Sequence, residues 1–174
     1  GSQIALLLQC QGYNQTYTQR AFSFENVLLD TILELKENPV QSILAGGVDE
    51  ITEASHTIQK RFDIYRDDSR SSLQLFKTAK NGTLQGEGAA YFVLSGEKHI
   101  QCKVCLEAVA TFYKPGQQLM AEIEAFLKAS LLRNTDIDLL LIGKSGDKRL
   151  DHDTQLISAS MFPTSSSGLF KHLS

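Results

Sequence analysis

Between Gly12 and Glu50 the chain carries three signals in a fixed order, and they narrow the fold more than any other segment. Tyr13 to Arg20 alternates aromatic and β-branched residues with polar ones, the period of a strand. Phe24, Val27, Leu28, Ile32 and Leu35 then recur at helical spacing, with Ser23 available as N-cap and Pro39 stopping the run. Ser42 to Ala45 reads as a short buried strand, closed by Gly46 and Gly47 ahead of Val48-Asp49-Glu50. Strand, helix and strand in so short a stretch predict an α/β protein of layered helices and sheet.

The rest of the chain continues that alternation. Gln3 to Gln9 reads as the end of a buried helix that Gly12 closes. A further helix is expected within Thr52 to Phe62, followed by a charged surface loop from Asp63 to Arg70. Ala89 to Leu94 and Cys102 to Phe112 read as adjacent strands joined by a turn at Gly96, which makes the sheet mixed. Pro115 and Gly116 precede a helix with Leu119, Ile123, Phe126, Leu127 and Leu131 along one face. Asp138 to Ile142 is the next expected buried strand, and Thr164 to Gly168 reads as a small-residue turn. No repeat or linker divides the 174 residues, so a single domain over 1–174 is expected. The apolar opening and the ending at Lys171-His172-Leu173-Ser174 read as a piece of a longer domain, with Gly1-Ser2 either a tag remnant or native.

Charge and cysteine usage remove several function classes. A net charge of −3 supplies no broad electropositive field, so nucleic acid is not an expected partner. No apolar run reaches the roughly 18 residues of a membrane span, and the opening run from Gln3 to Leu8 lacks a basic flank. A cytoplasmic protein without a membrane span is expected. Cys10, Cys102 and Cys105 are an odd set for a secreted disulfide framework. Cys102 and Cys105 have half-site metal spacing, but on a strand their sulfurs would point to opposite faces, and no second pair follows. Neither a metal nor a cofactor is expected. Gly46-Gly47 could turn around a phosphate, but the glycine-rich frameworks of nucleotide sites are missing.

The remaining chemistry-bearing residues are scattered. His56, His99 and His152 have no partner at useful spacing, and Asp67-Asp68 lack companions for a divalent cation. Glu87, between Gly86 and Gly88, is placed to accept backbone N–H groups and hold a loop. Cys10 reads as an inert packed thiol. Ser23 is the hydroxyl that, as an alternative to capping, could serve as a nucleophile.

Taken in order, Gln3-Ile4-Ala5, Gly12-Tyr13-Asn14, Ala45-Gly46-Gly47, Gly86-Glu87-Gly88-Ala89-Ala90, Asp138 to Asp151 and Phe170-Lys171 resemble the β-ketoacyl synthase branch of the thiolase-like fold. The likeness covers most of the chain, beginning inside the family's first half and ending short of its C-terminal end. It is greatest to divergent synthase-like proteins of bacterial polyene and pigment pathways. The resemblance implies acyl transfer to a cysteine at a helix N-terminus, whose dipole and free N–H groups favour the thiolate. Condensation with a malonyl unit on acyl carrier protein follows, with two histidines and a lysine supporting the developing charge.

Carried onto this sequence, the cysteine position falls on Ala21 and the first histidine position on Gly143, or on Ile142 when the glycines are matched. Lys171 takes the lysine position, and the second histidine position lies past Ser174. A methyl group cannot attack a thioester, and neither Gly143 nor Ile142 can donate to an enolate oxygen. The implied protein is a catalytically degenerate, chain-length-factor-like partner of an active synthase, forming a homo- or heterodimer and meeting acyl carrier protein. Two other readings stand beside it. One is a divergent 3-oxoacyl synthase or acyltransferase using another nucleophile such as Ser23 or Cys10. The other is a small α/β ligand-binding module, with both sheet faces covered.

Overall fold

The computed structural model describes residues 2–19, 22–66, 72–77, 80–98, 100 and 102–171. In chain order the elements are α1 (Ser2–Leu7), α2 (Ser23–Glu37), β1 (Ser42–Asp49), α3 (Glu53–Lys60), β2 (Gly88–Ser95), α4 (Leu119–Ala129), β3 (Leu139–Lys144), α5 (Lys148–Met161) and β4 (Ser166–Lys171). The mixed α/β architecture expected from the sequence is present, with small sheets: β1 pairs with β2, and β3 with β4. Two units carry these elements, one from Gly1–Gly47 with Ala89–Thr111, the other from Val48–Gly88 with Phe112–Ser174.

In the first unit α2 forms where the apolar spacing places it and buries Thr31 and Leu35. Its N-cap is Phe22, without a side-chain cap. Ser23 is the first helical residue, and its hydroxyl accepts the Gln19 N–H at 2.8 Å and donates to the Gln19 carbonyl. The expected cap thus fastens the preceding chain instead of the helix. Asn38 closes α2 by donating to Glu34 O at 2.9 Å, one residue before Pro39.

Tyr13 to Gln19 is not a strand. Alternation makes a strand only where a second backbone supplies the ladder. Here Tyr13 is 58% exposed and spends its hydroxyl on Asp30 of α2, at 2.9 Å. The buried helix expected over Gln3 to Gln9 is also corrected, since Leu6 and Leu7 of α1 are more than four-fifths exposed. Gln9, not Gly12, closes it. Gln9 takes φ 54°, its N–H reaches Leu6 O at 3.2 Å, and Cys10 N–H reaches Ala5 O at 2.8 Å, a Schellman closure without glycine.

β1 runs through Gly46 and Gly47 to Asp49, so the pair is strand rather than a turn beyond it. A Cβ on Gly46 would collide with the Tyr91 ring and sit 2.6 Å from Ala90 O on β2. The glycine is there for the close approach of two strands. Phe24 of α2 and Phe92 of β2 complete this packing, with ring centroids 6.1 Å apart and tilted by 42°. Cys102 to Phe112 forms no strand, and β2 pairs with β1 instead. Gly96 lies against the end of α2, where a Cβ would come within 2.8 Å of Pro39, so it serves a helix contact rather than a hairpin.

In the second unit α3 begins with a reciprocal capping box. Ser55 N–H donates to Thr52 Oγ1 at 3.1 Å and Thr52 N–H to Ser55 Oγ at 3.3 Å. Leu127 of α4 packs with Met161 and Phe162 at the end of α5, and Ile123, Ile137, Leu140 and Ile157 close around them. Leu131 is not on the α4 face. It lies beyond the helix at φ 58° and is 92% exposed, with its N–H on Lys128 O at 3.0 Å and Leu132 N–H on Leu127 O at 2.9 Å. This is a second Schellman closure without glycine.

β3 and β4 are parallel, in register from Leu139 opposite Ser166 to Lys144 opposite Lys171. The fully buried strand expected at Asp138 to Ile142 is half-buried: Leu139 and Leu141 are 55% and 65% exposed, while Leu140 joins the core. Period-two alternation puts successive leucines on opposite faces, and only one face meets the helices. Ser166 to Gly168, read as part of a turn, are strand. The small side chains suit the crowded pairing there, since a Cβ on Gly168 would sit 2.9 Å from Leu141 Cδ2.

Candidate functional site

Ile142 and Gly143, to which the resemblance assigns the first histidine position, occupy the C-terminal half of β3, with Ile142 opposite Leu169 and Gly143 opposite Phe170. Lys171 follows directly, opposite Lys144. The segments around Gly143 and Lys171, which the resemblance assigns to the histidine and the lysine, therefore lie on adjacent strands. Ala21 lies outside the described residues, as do Arg20, Asp67, Asp68, His99 and His172.

Beyond Lys144 the chain turns through Ser145-Gly146-Asp147 into α5, and two carboxylates hold N–H groups of this loop and of the helix start. Asp151, in the first turn of α5, accepts Ser145 N–H at 2.9 Å, Ser145 Oγ at 3.1 Å and Gly146 N–H at 2.8 Å. Asp147 caps α5 by accepting Arg149 N–H at 2.8 Å. Its carboxylate also takes Gly82 N–H at 2.8 Å and the Arg149 guanidinium at 2.5 Å. Arg66 Nη2 bridges Leu75 O at 3.2 Å and Gly146 O at 3.1 Å, and Thr83 Oγ1 donates to Ser145 O.

Two glycines make that convergence possible. Gly82 has φ +81°, and a Cβ there would stand 2.9 Å from Arg66 N. Gly146 has φ +84°, and its Cβ would stand 2.5 Å from the Leu75 side chain. Both need a backbone that glycine adopts at little steric cost, and neither has room for a side chain.

The electrostatics of the Asp147–Arg149 pair reinforce this hold. Asp147 is 2% exposed, yet the Arg149 guanidinium and the N–H groups of Arg149 and Gly82 outweigh its burial and hold its pKa at about 2. Arg149 is raised in turn by the same carboxylate. Ser145 has both its N–H and its hydroxyl on Asp151, and its Oγ accepts Asp147 N–H at 3.1 Å.

A second cluster went unread in the sequence. His56, expected to be isolated, stacks on Tyr65 with centroids 5.1 Å apart and planes within 8°, and its Nδ1 lies 2.8 Å from Gln85 Oε1. Tyr65 donates to Gln59, and burial raises its phenol pKa. A shallow depression beside them is lined by His56, Thr57, Lys60 and Arg61. The His56–Gln59 spacing on one helix face was legible, whereas the return of Tyr65 and Gln85 to that face was not.

The other candidates resolve individually. Glu87 accepts Ile51 N–H at 3.1 Å, the loop-holding role its setting suggests. His152 is exposed on α5. Cys10, expected to be packed, is exposed, as are Cys102 and Cys105 on an unpaired segment. Glu107 raises the Cys105 pKa by hydrogen bonding to its thiol. Among the described residues no group of three His, Cys, Asp or Glu is placed to hold a metal ion, and no helix is long and apolar enough to cross a membrane.

No protein-family model matches the chain, and no curated protein matches it.

Proposed function

We propose that the chain is part of a thiolase-like, β-ketoacyl synthase-like protein that has lost condensation chemistry and supports an active synthase in acyl chain elongation. The observation that carries this reading is the parallel register of β3 and β4, which sets Gly143 opposite Phe170, the neighbour of Lys171. That juxtaposition supports the reading because it brings the two segments assigned by resemblance onto neighbouring strands. The side chains at Ile142 and Gly143 offer no donor to an enolate, and Ala21 offers no nucleophile. The surviving part is architectural: a loop clamped by Asp147 and Asp151.

On this reading the protein works in the cytoplasm, shapes the acyl tunnel or steadies a heterodimer with a ketosynthase, and meets acyl carrier protein there. Exposure of Leu139 and Leu141 favours it over a free-standing ligand-binding module, which would cover both faces of its sheet. The test is incubation of the purified protein with an acyl thioester, followed by intact-mass measurement, alone and with an active synthase and acyl carrier protein. No stable adduct on this chain, together with co-purification with the synthase, is the expected result. Acylation at a defined residue and condensation of malonyl-acyl carrier protein by the protein alone would overturn it. Ser23→Ala and Cys10→Ala would then locate the nucleophile. Ala21→Cys is expected to create an acyl acceptor where none existed.

A further inference from the structure

The loop that Asp147 grips contains Asn81-Gly82, the dipeptide most prone to spontaneous loss of a side-chain amide. Asn81 is exposed, whereas Gly82 is buried and cannot be exchanged for a bulkier, safer residue, because of its φ of +81° and the 2.9 Å approach of Arg66 N. The fold therefore fixes the glycine half of the vulnerable pair. The same fold restrains it, since the reacting nitrogen is the one that donates to Asp147 Oδ2 at 2.8 Å.

We infer that Asn81 is a deamidation site whose rate is set by the Gly82–Asp147 hydrogen bond. In the reaction, hydroxide removes the Gly82 amide proton and the nitrogen forms a bond to the Asn81 side-chain carbonyl carbon. Ammonia leaves, giving a cyclic succinimide. Water then opens the ring at either carbonyl, leaving aspartate or isoaspartate at position 81. While Gly82 N–H is bound to Asp147, its proton is shielded from base, and an amide anion beside the carboxylate would be a like-charge pair in a buried setting. The backbone is pinned on both sides as well, through Lys148 N–H on Lys80 O at 2.9 Å and Thr83 N–H on Ile64 O at 2.8 Å.

Conversion is irreversible in structural terms. An isoaspartyl link adds a backbone methylene between the anchors at Lys80 and Gly82, so both cannot keep their partners on the α5 entry loop. The isoaspartyl product therefore loosens the hold of Asp147 on the 80–82 segment, while Asp151 still holds Ser145 and Gly146. An aspartyl product adds a negative charge at an exposed position, one residue before the Gly82 N–H that Asp147 holds.

The test is time-resolved peptide mapping with isoaspartate detection at mildly alkaline pH, on the folded protein, on the same protein in urea, and on folded Asp147→Asn. Amide hydrogen exchange of the peptide containing Gly82 runs in parallel. Folded wild type should convert about tenfold to a hundredfold more slowly than the chain in urea, the factor expected from opening a hydrogen bond to a charged acceptor. Asp147→Asn should move toward the unfolded rate. Because that variant could also loosen the whole unit, wild type in sub-denaturing urea supplies the second measure: deamidation and Gly82 exchange should accelerate together. Equal rates in folded and unfolded wild type, or deamidation that stays constant while Gly82 exchange rises, would overturn the inference.

Discussion

Asp147 joins Gly82, 65 residues away in the chain, through a 2.8 Å hydrogen bond from backbone to buried carboxylate. One side chain thereby caps α5, neutralises Arg149 and fixes a distant loop.

That arrangement sets an acid limit on the second unit. The folded pKa of Asp147 is depressed to about 2 from an ordinary 3.8, so the unfolded chain binds this proton first. Its stabilisation is complete above about pH 4, declines as pH falls, and is lost as pH passes below about 2, amounting to about 2 kcal/mol. Urea titrations followed by circular dichroism should show this slope in wild type and a flattened one in Asp147→Asn. Arg149 is half exposed, so salt should shrink the effect.

Glycine substitutions should separate backbone strain from steric conflict. Gly116 has φ +54° with open space around its missing Cβ, so Gly116→Ala should cost about 1 kcal/mol. Gly146→Ala meets Leu75 at 2.5 Å as well, and should cost about 2 kcal/mol more. Adding Leu75→Ala should recover only part of that difference, because the removed leucine leaves a cavity. Comparison of urea midpoints tests all three.

Leu131 occupies a left-handed position that helix ends usually give to glycine, and is 92% exposed. Leu131→Gly should therefore raise stability, by about 0.5–1 kcal/mol after the greater freedom of glycine in the unfolded chain is counted. A rise in melting temperature without change in helix content is the expected observation.

Glu107 stabilises the protonated Cys105 thiol and so lowers its thiolate fraction near neutral pH. Glu107→Gln should speed alkylation of Cys105 and leave that of Cys10 unchanged. Residue-resolved mass spectrometry after brief iodoacetamide treatment provides the measurement.

Helices and strands are legible to a similar extent, and the site less so: α1 to α4 and β1 to β3 form at segments that read as helices and strands, whereas α5 does not read as a helix nor β4 as a strand. The apolar spacing of α2, the start of α3 and most of α4 are local properties, readable within a few turns. The Tyr13 to Arg20 and Cys102 to Phe112 segments have strand-like composition, but pairing is decided by a distant backbone, and the described residues there have none. Gly46 shows a different ambiguity. A glycine can mark a turn or a close approach, and only the Tyr91 ring across the sheet distinguishes them. Likewise, Asp147 ahead of Arg149 could be read as a helix cap, whereas its bond to Gly82 needed the folded loop. Ala21, where the chemistry implied by resemblance would begin, lies outside the described residues.

Every rung of the β3–β4 ladder closes the same length of chain, because both strands run in one direction without a bulge. The entropy of loop closure is thus met once, at the first rung, and the remaining five form like a zipper at little additional cost. Register slippage is consequently all or nothing: a slip by one residue would misplace the whole strand and exchange its inner and outer faces. With α5 supplying the connecting segment, this part of the chain has the makings of an early folding nucleus around which the long-range clamp at Asp147 can later close.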